Sequence, residues 1–217
     1  MTRPCLALLL SLLLIACGSE APPAPSEKAS DSTTRPAAKA AEPLPDKVRV
    51  RIETEAGAIV VELDARRAPL TAANFVRYAE EGRFDDATFY RAAPTRGAPD
   101  SGFIQGGIRR NYRRMLPPVP HEPTSRTGLR HVAGAISMAR TEPGNAMGEF
   151  FITTAAMPAM DADADDPGYA AFGRVVEGMD VVRRILAMPA APNAGAGAMR
   201  GQMLADPVTI VRARRVD

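Results

Sequence analysis

Residues 47–64 read KVRVRIETEAGAIVVELD. Val48, Val50 and Ile52 alternate with Arg49, Arg51 and Glu53, the period of a strand with one buried face. Ile59, Val61 and Leu63 repeat that alternation after a reversal at Glu55-Ala56-Gly57-Ala58. Two period-two runs around a glycine turn predict a β-hairpin, and the folded domain is expected to span 47–217. Downstream, a helix is expected from Pro69, whose fixed φ suits a first turn. Its face would carry Ala72, Phe75, Val76 and Ala79, and Gly82 is placed to end it. Further strands are predicted at Thr88–Ala92, Phe103–Gln105, Ala135–Ala139, Phe150–Thr153, Ala170–Val175 and Val208–Ala213, mostly short and bounded by Gly or Pro. A second helix is predicted near Met179–Leu186, burying Val182, Ile185 and Leu186. Many short strands with two helices predict a β-dominated fold, a closed barrel with helices over its ends.

Upstream of the hairpin, residues 18–46 read GSEAPPAPSEKASDSTTRPAAKAAEPLPD. This composition buries too little apolar surface to offset its ordering entropy, so a tether is expected. Before it, Arg3 and the apolar run Cys5–Ala16 have the length of a signal-peptide core, too short to cross a bilayer. Leu14-Ile15-Ala16-Cys17 resembles a bacterial lipobox, which implies removal of residues 1–16 and acylation of Cys17 as the new N-terminus. An ordinary secretory signal with a chance cysteine is the alternative. The protein is therefore expected in the cell envelope, facing the periplasm and held by lipid rather than by a transmembrane helix. Gly18 is not the aspartate that retains lipoproteins at the inner membrane, which by analogy favours the outer one. Cys5 and Cys17 are the only cysteines, so the processed chain is expected to hold no disulfide.

The chain has 217 residues, 46% hydrophobic and 24% charged, with 27 basic against 25 acidic side chains. That size suits one domain with an appendage, and a near-neutral balance argues against nucleic acid as a partner. Trp is absent, so Phe, Leu, Ile, Val and Met must fill the core. A monomer is expected.

The polar clusters point away from metal or nucleophilic chemistry. His121 and His131, the only histidines, lack a carboxylate at metal-ligand spacing. Asp161, Asp163, Asp165 and Asp166 open like a calcium loop, but Asp166 stands where the glycine belongs and Phe172 where the glutamate belongs. A solvated acidic loop is expected instead. Asn193–Ala198 lacks nucleotide-loop spacing. Arg109, Arg110, Arg113 and Arg114 around Tyr112 read as an exposed turn. No serine-hydrolase elbow is present, and no cofactor is expected.

Five blocks remain in order: Thr88-Phe89-Tyr90-Arg91, Phe103-Ile104-Gln105-Gly106-Gly107, Gly134-Ala135-Ile136-Ser137-Met138-Ala139-Arg140, Gly148-Glu149-Phe150-Phe151-Ile152-Thr153, and Ala171-Phe172-Gly173-Arg174-Val175-Val176-Glu177-Gly178-Met179-Asp180. Together these resemble the signature blocks of cyclophilin-type peptidyl-prolyl cis-trans isomerases, most closely the periplasmic bacterial subgroup. The resemblance runs from about Val48 to Val216. It implies an eight-stranded antiparallel closed β-barrel capped by two α-helices, acting on the bond before proline. It makes Arg91 the catalytic residue. It places Phe103, Gln105, Ala139, Phe151, Met160 and Tyr169 in substrate binding, with proline-containing peptides and unfolded exported proteins as partners. Two readings stay open on the residues: an isomerase that assists folding of exported proteins, and a non-catalytic chaperone or proline-peptide-binding module of the same fold. An unrelated barrel lipoprotein would not account for five ordered blocks.

Four departures bear on those expectations. The connection 92–102 is roughly six residues longer than the resemblance would give, so a different loop is expected beside the pocket. Gly102 stands where the family has a pocket phenylalanine, which would remove apolar surface. Glu149 replaces a glutamine. Ala159 replaces a tryptophan found in eukaryotic members, which implies weak binding of cyclosporin.

Overall fold

The computed structural model describes residues 44–109 and 111–216. The signal segment, Cys17 and the linker up to residue 43 lie outside the described residues. Eight strands form the fold: β1 Lys47–Thr54, β2 Gly57–Asp64, β3 Ala87–Thr95, β4 Ala98–Gly107, β5 Ala135–Met138, β6 Glu149–Thr153, β7 Ala170–Glu177 and β8 Met203–Val216. They pair antiparallel in the order β1-β2-β7-β5-β6-β4-β3-β8, and β8 returns to β1 to close the barrel. Closure leaves no open sheet edge.

The opening hairpin sets the frame. Val48, Val50 and Ile52 are buried while Arg49 and Arg51 are exposed, and Thr54 pairs with Gly57 across the turn. Gly57 has φ +127°, and a Cβ there would lie 2.9 Å from a Val181 methyl. Val181 belongs to α3 (Met179–Leu186), so α3 closes the barrel end that carries this turn. At the other end of β2 the chain enters α1 (Pro69–Glu80). Phe75 of α1 meets Phe84, Phe150 and Phe172 with ring centroids 5.0–5.3 Å apart, an aromatic plug with tilted and edge contacts.

The N-terminus of α1 has no cap of its own. Glu122, 2% exposed, accepts hydrogen bonds from the Thr71 amide at 2.8 Å and its hydroxyl at 2.7 Å. A buried carboxylate there satisfies orphan donors and favours the positive end of the helix. Glu122 precedes α2 (Thr124–Thr127), a single turn beyond the two helices expected.

The segment 92–102 is not the loop that its length suggested. β3 continues to Thr95 and β4 starts at Ala98, so the extra residues form the tip of a hairpin arm. Thr154 fastens this arm to the end of β6: its amide donates to the Gly102 carbonyl at 2.8 Å and its hydroxyl to the Asp100 carbonyl at 3.0 Å.

Candidate active site

Three neighbouring strands present one row of side chains. In the barrel register Arg91 of β3 stands opposite Gln105 of β4, and Gln105 stands opposite Phe151 of β6. Residues in register on adjacent strands share a face, so this row looks outward while Phe89, Phe150 and Met138 form the matching row in the core.

A bulge makes the row possible. Phe89 pairs with Gly106 and Arg91 with Gln105, so Tyr90 is an extra residue in β3. In an unbroken strand Phe89 and Arg91 would face the same side. The bulge re-aims the chain, sending Phe89 inward and both Tyr90 and Arg91 outward.

A chain of hydrogen bonds then fixes the guanidinium. Arg91 Nη1 donates to Gln105 Oε1 at 2.8 Å, Gln105 Nε2 donates to Tyr90 Oη at 2.8 Å, and Tyr90 Oη donates to Glu149 Oε2 at 2.7 Å. On its other edge, Arg91 Nε and Nη2 both donate to Gln202 Oε1, at 3.0 and 2.7 Å. Burial pushes the Arg91 guanidinium below its ordinary value, opposed by the phenols of Tyr90 and Tyr169; an arginine nonetheless stays charged in a protein. Burial and the Glu149 carboxylate raise the Tyr90 phenol, so it remains a protonated donor.

Beside this charged edge lies an apolar socket. The Arg91 guanidinium carbon is 4.9 Å from the Phe103 ring centre, and Phe103 lies 5.4 Å from Phe151. Tyr169 meets Phe151 edge-on at 5.4 Å and 88°, and the Arg140 guanidinium carbon lies over the Tyr169 ring at 4.9 Å. Met160 and Ala139 also line this side of a larger cleft of about 740 Å³, which Met147, Met199 and Met203 help to wall. All seven site residues expected inside the folded domain line this one cleft: Arg91, Phe103, Gln105, Ala139, Phe151, Met160 and Tyr169. Cys17, the expected lipidation site, lies outside the described residues.

Gly102 adds no apolar side chain to the socket, and the backbone leaves no room for one. Its φ is +148°, and a Cβ would fall 2.3 Å from the Ala93 carbonyl oxygen. The hairpin arm crosses too close for any side chain there, while the neighbouring Phe103 lines the cleft.

Three site features escaped the sequence reading. Gln202 lies 111 residues from the arginine it holds. Arg109, expected to be merely solvated, lies over the Tyr90 ring at 5.4 Å and lines the cleft. Asp161, expected in a solvated acidic loop, is 8% exposed and accepts from His131, whereas Asp163 is exposed and accepts from the Asp165 and Asp166 amides.

Comparison with known proteins gives the family. The family described as cyclophilin type peptidyl-prolyl cis-trans isomerase/CLD matches residues 49–214. The chain belongs to that family. Peptidyl-prolyl cis-trans isomerase A of Dickeya dadantii is 39% identical over 141 residues, covering 63% of this chain and 70% of its own. The peptidyl-prolyl cis-trans isomerase of Acinetobacter baylyi is 34% identical over 142 residues, covering 64% and 72%. Among solved structures, a Cryptosporidium parvum cyclophilin type isomerase superposes with TM-score 0.62 at 20% identity, covering 79% of this chain and 98% of its own. It has also been solved in the presence of the dipeptide Ala-Pro. This cyclophilin is thus a peptidyl-prolyl cis-trans isomerase, built on the eight-stranded barrel of its family.

Proposed function

We propose that this isomerase assists the folding of exported proteins at the cell envelope, anchored through Cys17, with Arg91 as its catalytic donor. Rotation about a peptide bond must cross a barrier of ~18–20 kcal/mol, while the two isomers before proline differ by only about 0.5–1 kcal/mol. Binding the half-rotated amide more tightly than either planar form is sufficient for catalysis.

The arrangement supports a division of labour. Phe103, Phe151 and Met160 receive the proline ring, with Tyr169 at the rim, an apolar seat of the kind that a bound Ala-Pro would fill. Gln105 has one Nε2 hydrogen left after its bond to Tyr90, which grips a peptide carbonyl. The Ala139 amide is already bonded to the Glu149 carbonyl at 2.9 Å, so its own carbonyl is the group that faces a peptide N–H. As the amide twists, the prolyl nitrogen becomes pyramidal and gains a lone pair. Arg91 uses three of its five N–H groups on Gln105 and Gln202. The two that remain stabilise that lone pair, and a donor fixed in advance needs little reorganisation at the moment of reaction.

The carrying observation is the guanidinium clamped between two glutamine oxygens at the edge of the socket. Exchange of an Ala-Pro peptide measured by NMR tests it. Arg91→Ala is expected to lower the rate by about 10²–10³-fold, the loss typical of one preorganised donor, with unchanged thermal stability. A rate near wild type removes Arg91 from the mechanism. The anchor is tested apart: Cys17→Ser is expected to move the protein from the membrane fraction to the soluble one, and to abolish an acylated N-terminal mass.

A further inference from the structure

Behind the socket floor lies a buried polar trio that the isomerisation chemistry does not use. His131 and Ser137 are 1% and 0% exposed, and Asp161 is 8% exposed. Asp161 Oδ1 accepts from the His131 amide at 2.9 Å and lies 2.7 Å from His131 Nδ1. His131 Nε2 lies 2.9 Å from Ser137 Oγ. With Nδ1–H donating to the carboxylate, Nε2 accepts from the serine hydroxyl, and every ring nitrogen is matched. The connectivity is that of a nucleophile, base and orienting acid. Ser137, however, is fully enclosed and no substrate can reach its oxygen.

Geometry gives the trio another use. The His131 imidazole lies parallel to the Phe151 ring, 5.7 Å between centres and 10° between planes. Ser137 is the register partner of Phe151 on β5. The floor residue is therefore backed by a ring whose own orientation is pinned at both nitrogens. The same residue holds a second wall. Its carbonyl accepts from the Met157 amide at 2.7 Å, so the turn 157–161 is strapped to His131 at one end through Met157 and at the other through Asp161. Met160 lies within that turn, and its carbonyl accepts from the Tyr169 amide at 2.9 Å.

We propose that His131, oriented by Asp161 and Ser137, is a positioning residue that sets the spacing between Phe151 and Met160, and hence the fit of the socket to proline. This rests on the reading of Phe151 and Met160 as the proline seat. Apolar side chains would fill the same space without burying polar groups. A buried, fully matched polar trio instead selects one arrangement over near alternatives, because any shift leaves a group unpaired. Burial pushes the His131 imidazole below its ordinary value against the opposing pull of Asp161, which keeps the ring neutral and able to accept from Ser137.

The experiment separates affinity from rate in the full chain, by NMR titration and exchange with an Ala-Pro peptide. Asp161→Ala is expected to weaken binding about tenfold through misplacement of the walls, with the exchange rate of bound peptide held within about twofold, the pattern of lost uniform binding. Asp161→Asn retains an acceptor and is expected to recover most of the affinity. His131→Phe keeps a ring in the stack and both backbone straps but loses the two ring hydrogen bonds to Asp161 and Ser137, and is expected to fall between them. Phe151→Ala serves as the control. If it leaves affinity intact, the seat itself is misassigned. If it weakens binding while folded Asp161→Ala and His131→Phe bind like wild type, only the positioning role is overturned. A change confined to the rate of bound peptide overturns it as well. Should Asp161→Ala fail to fold, His131→Phe against Asp161→Asn decides in the same way.

Discussion

Phe150 and Phe151 are chain neighbours with the same side chain and nearly the same burial, at 1% and 3% exposure. Phe150 points into the barrel, where Phe75, Phe84 and Phe89 surround it at 5.2–5.6 Å. Phe151 points out, where Phe103, His131 and Tyr169 surround it and the space beyond is cleft. The inner ring is held by apolar contact alone. The outer ring is held by residues that are themselves hydrogen-bonded or charge-stacked. One face of the sheet is thus built for density and the other for placement, and an adjacent pair of identical residues separates the two.

Truncating each ring gives the sharpest contrast. Phe150→Ala leaves an enclosed cavity and is expected to lower unfolding free energy by about 3–5 kcal/mol. Phe151→Ala opens onto the cleft, where water can enter. It is expected to cost about half as much stability while weakening peptide binding well beyond any effect of Phe150→Ala in its folded fraction. Urea denaturation and NMR titration of both variants check this, and equal losses in stability would erase the distinction between the faces.

Smaller and confined to the outer face is the effect of Gln202. Its Oε1 is the acceptor for two Arg91 donors, at 3.0 and 2.7 Å. Gln202→Leu removes the acceptor but keeps the bulk. Exchange is expected to slow about tenfold, as for losing hydrogen bonds to a charged group, with melting temperature and peptide affinity little changed. An unaltered rate would mean that Gln105 alone orients the guanidinium.

The two faces also differ in how far the sequence disclosed them. Alternation at Val48, Val50 and Ile52 and again at Ile59, Val61 and Leu63 exposed the first hairpin, because a buried face imposes its period on the chain. The cleft residues Arg91, Gln105 and Phe151 were found through ordered blocks and not through periodicity. Their union depends on the Tyr90 bulge, which reverses the facing that alternation alone would assign to Arg91. Glu122 beneath α1, Gln202 beside Arg91 and Asp161 against His131 are single long-range contacts with no local pattern to announce them. The extra residues at 92–102 were visible as a length, but their pairing into a hairpin arm depends on the partner strand and on the positive φ of Gly102.

The smallest expected effect distinguishes the buried polar trio from the surface charges through pH. A group whose folded pKa is depressed leaves the unfolded chain binding more protons than the native one, so stability falls as pH drops below the unfolded value. His131 is such a base, lowered from 6.5 chiefly by burial, with Asp161 opposing. Arg130 also faces the trio, its Nη1 lying 3.6 Å from Asp161 Oδ2. Among the carboxylates, Glu81 is held low chiefly by its hydrogen bond from Arg77, and Asp85 chiefly by that from Arg214, from ordinary values of 4.5 and 3.8. Their contribution begins to fade about one pH unit above those values, as the unfolded carboxylates start to take up protons. Between pH 6.5 and about 5.5 His131 therefore leads the slope, at most about 1.4 kcal/mol per pH unit for one proton. Urea denaturation at several pH values in that window is expected to show a stability loss on acidification that His131→Phe flattens, while the steeper loss below pH 4.5 persists in both proteins. A slope unchanged by that substitution would place the titrating group outside the trio, and the outer face would then be held by its hydrogen bonds without being sensitive to their protonation.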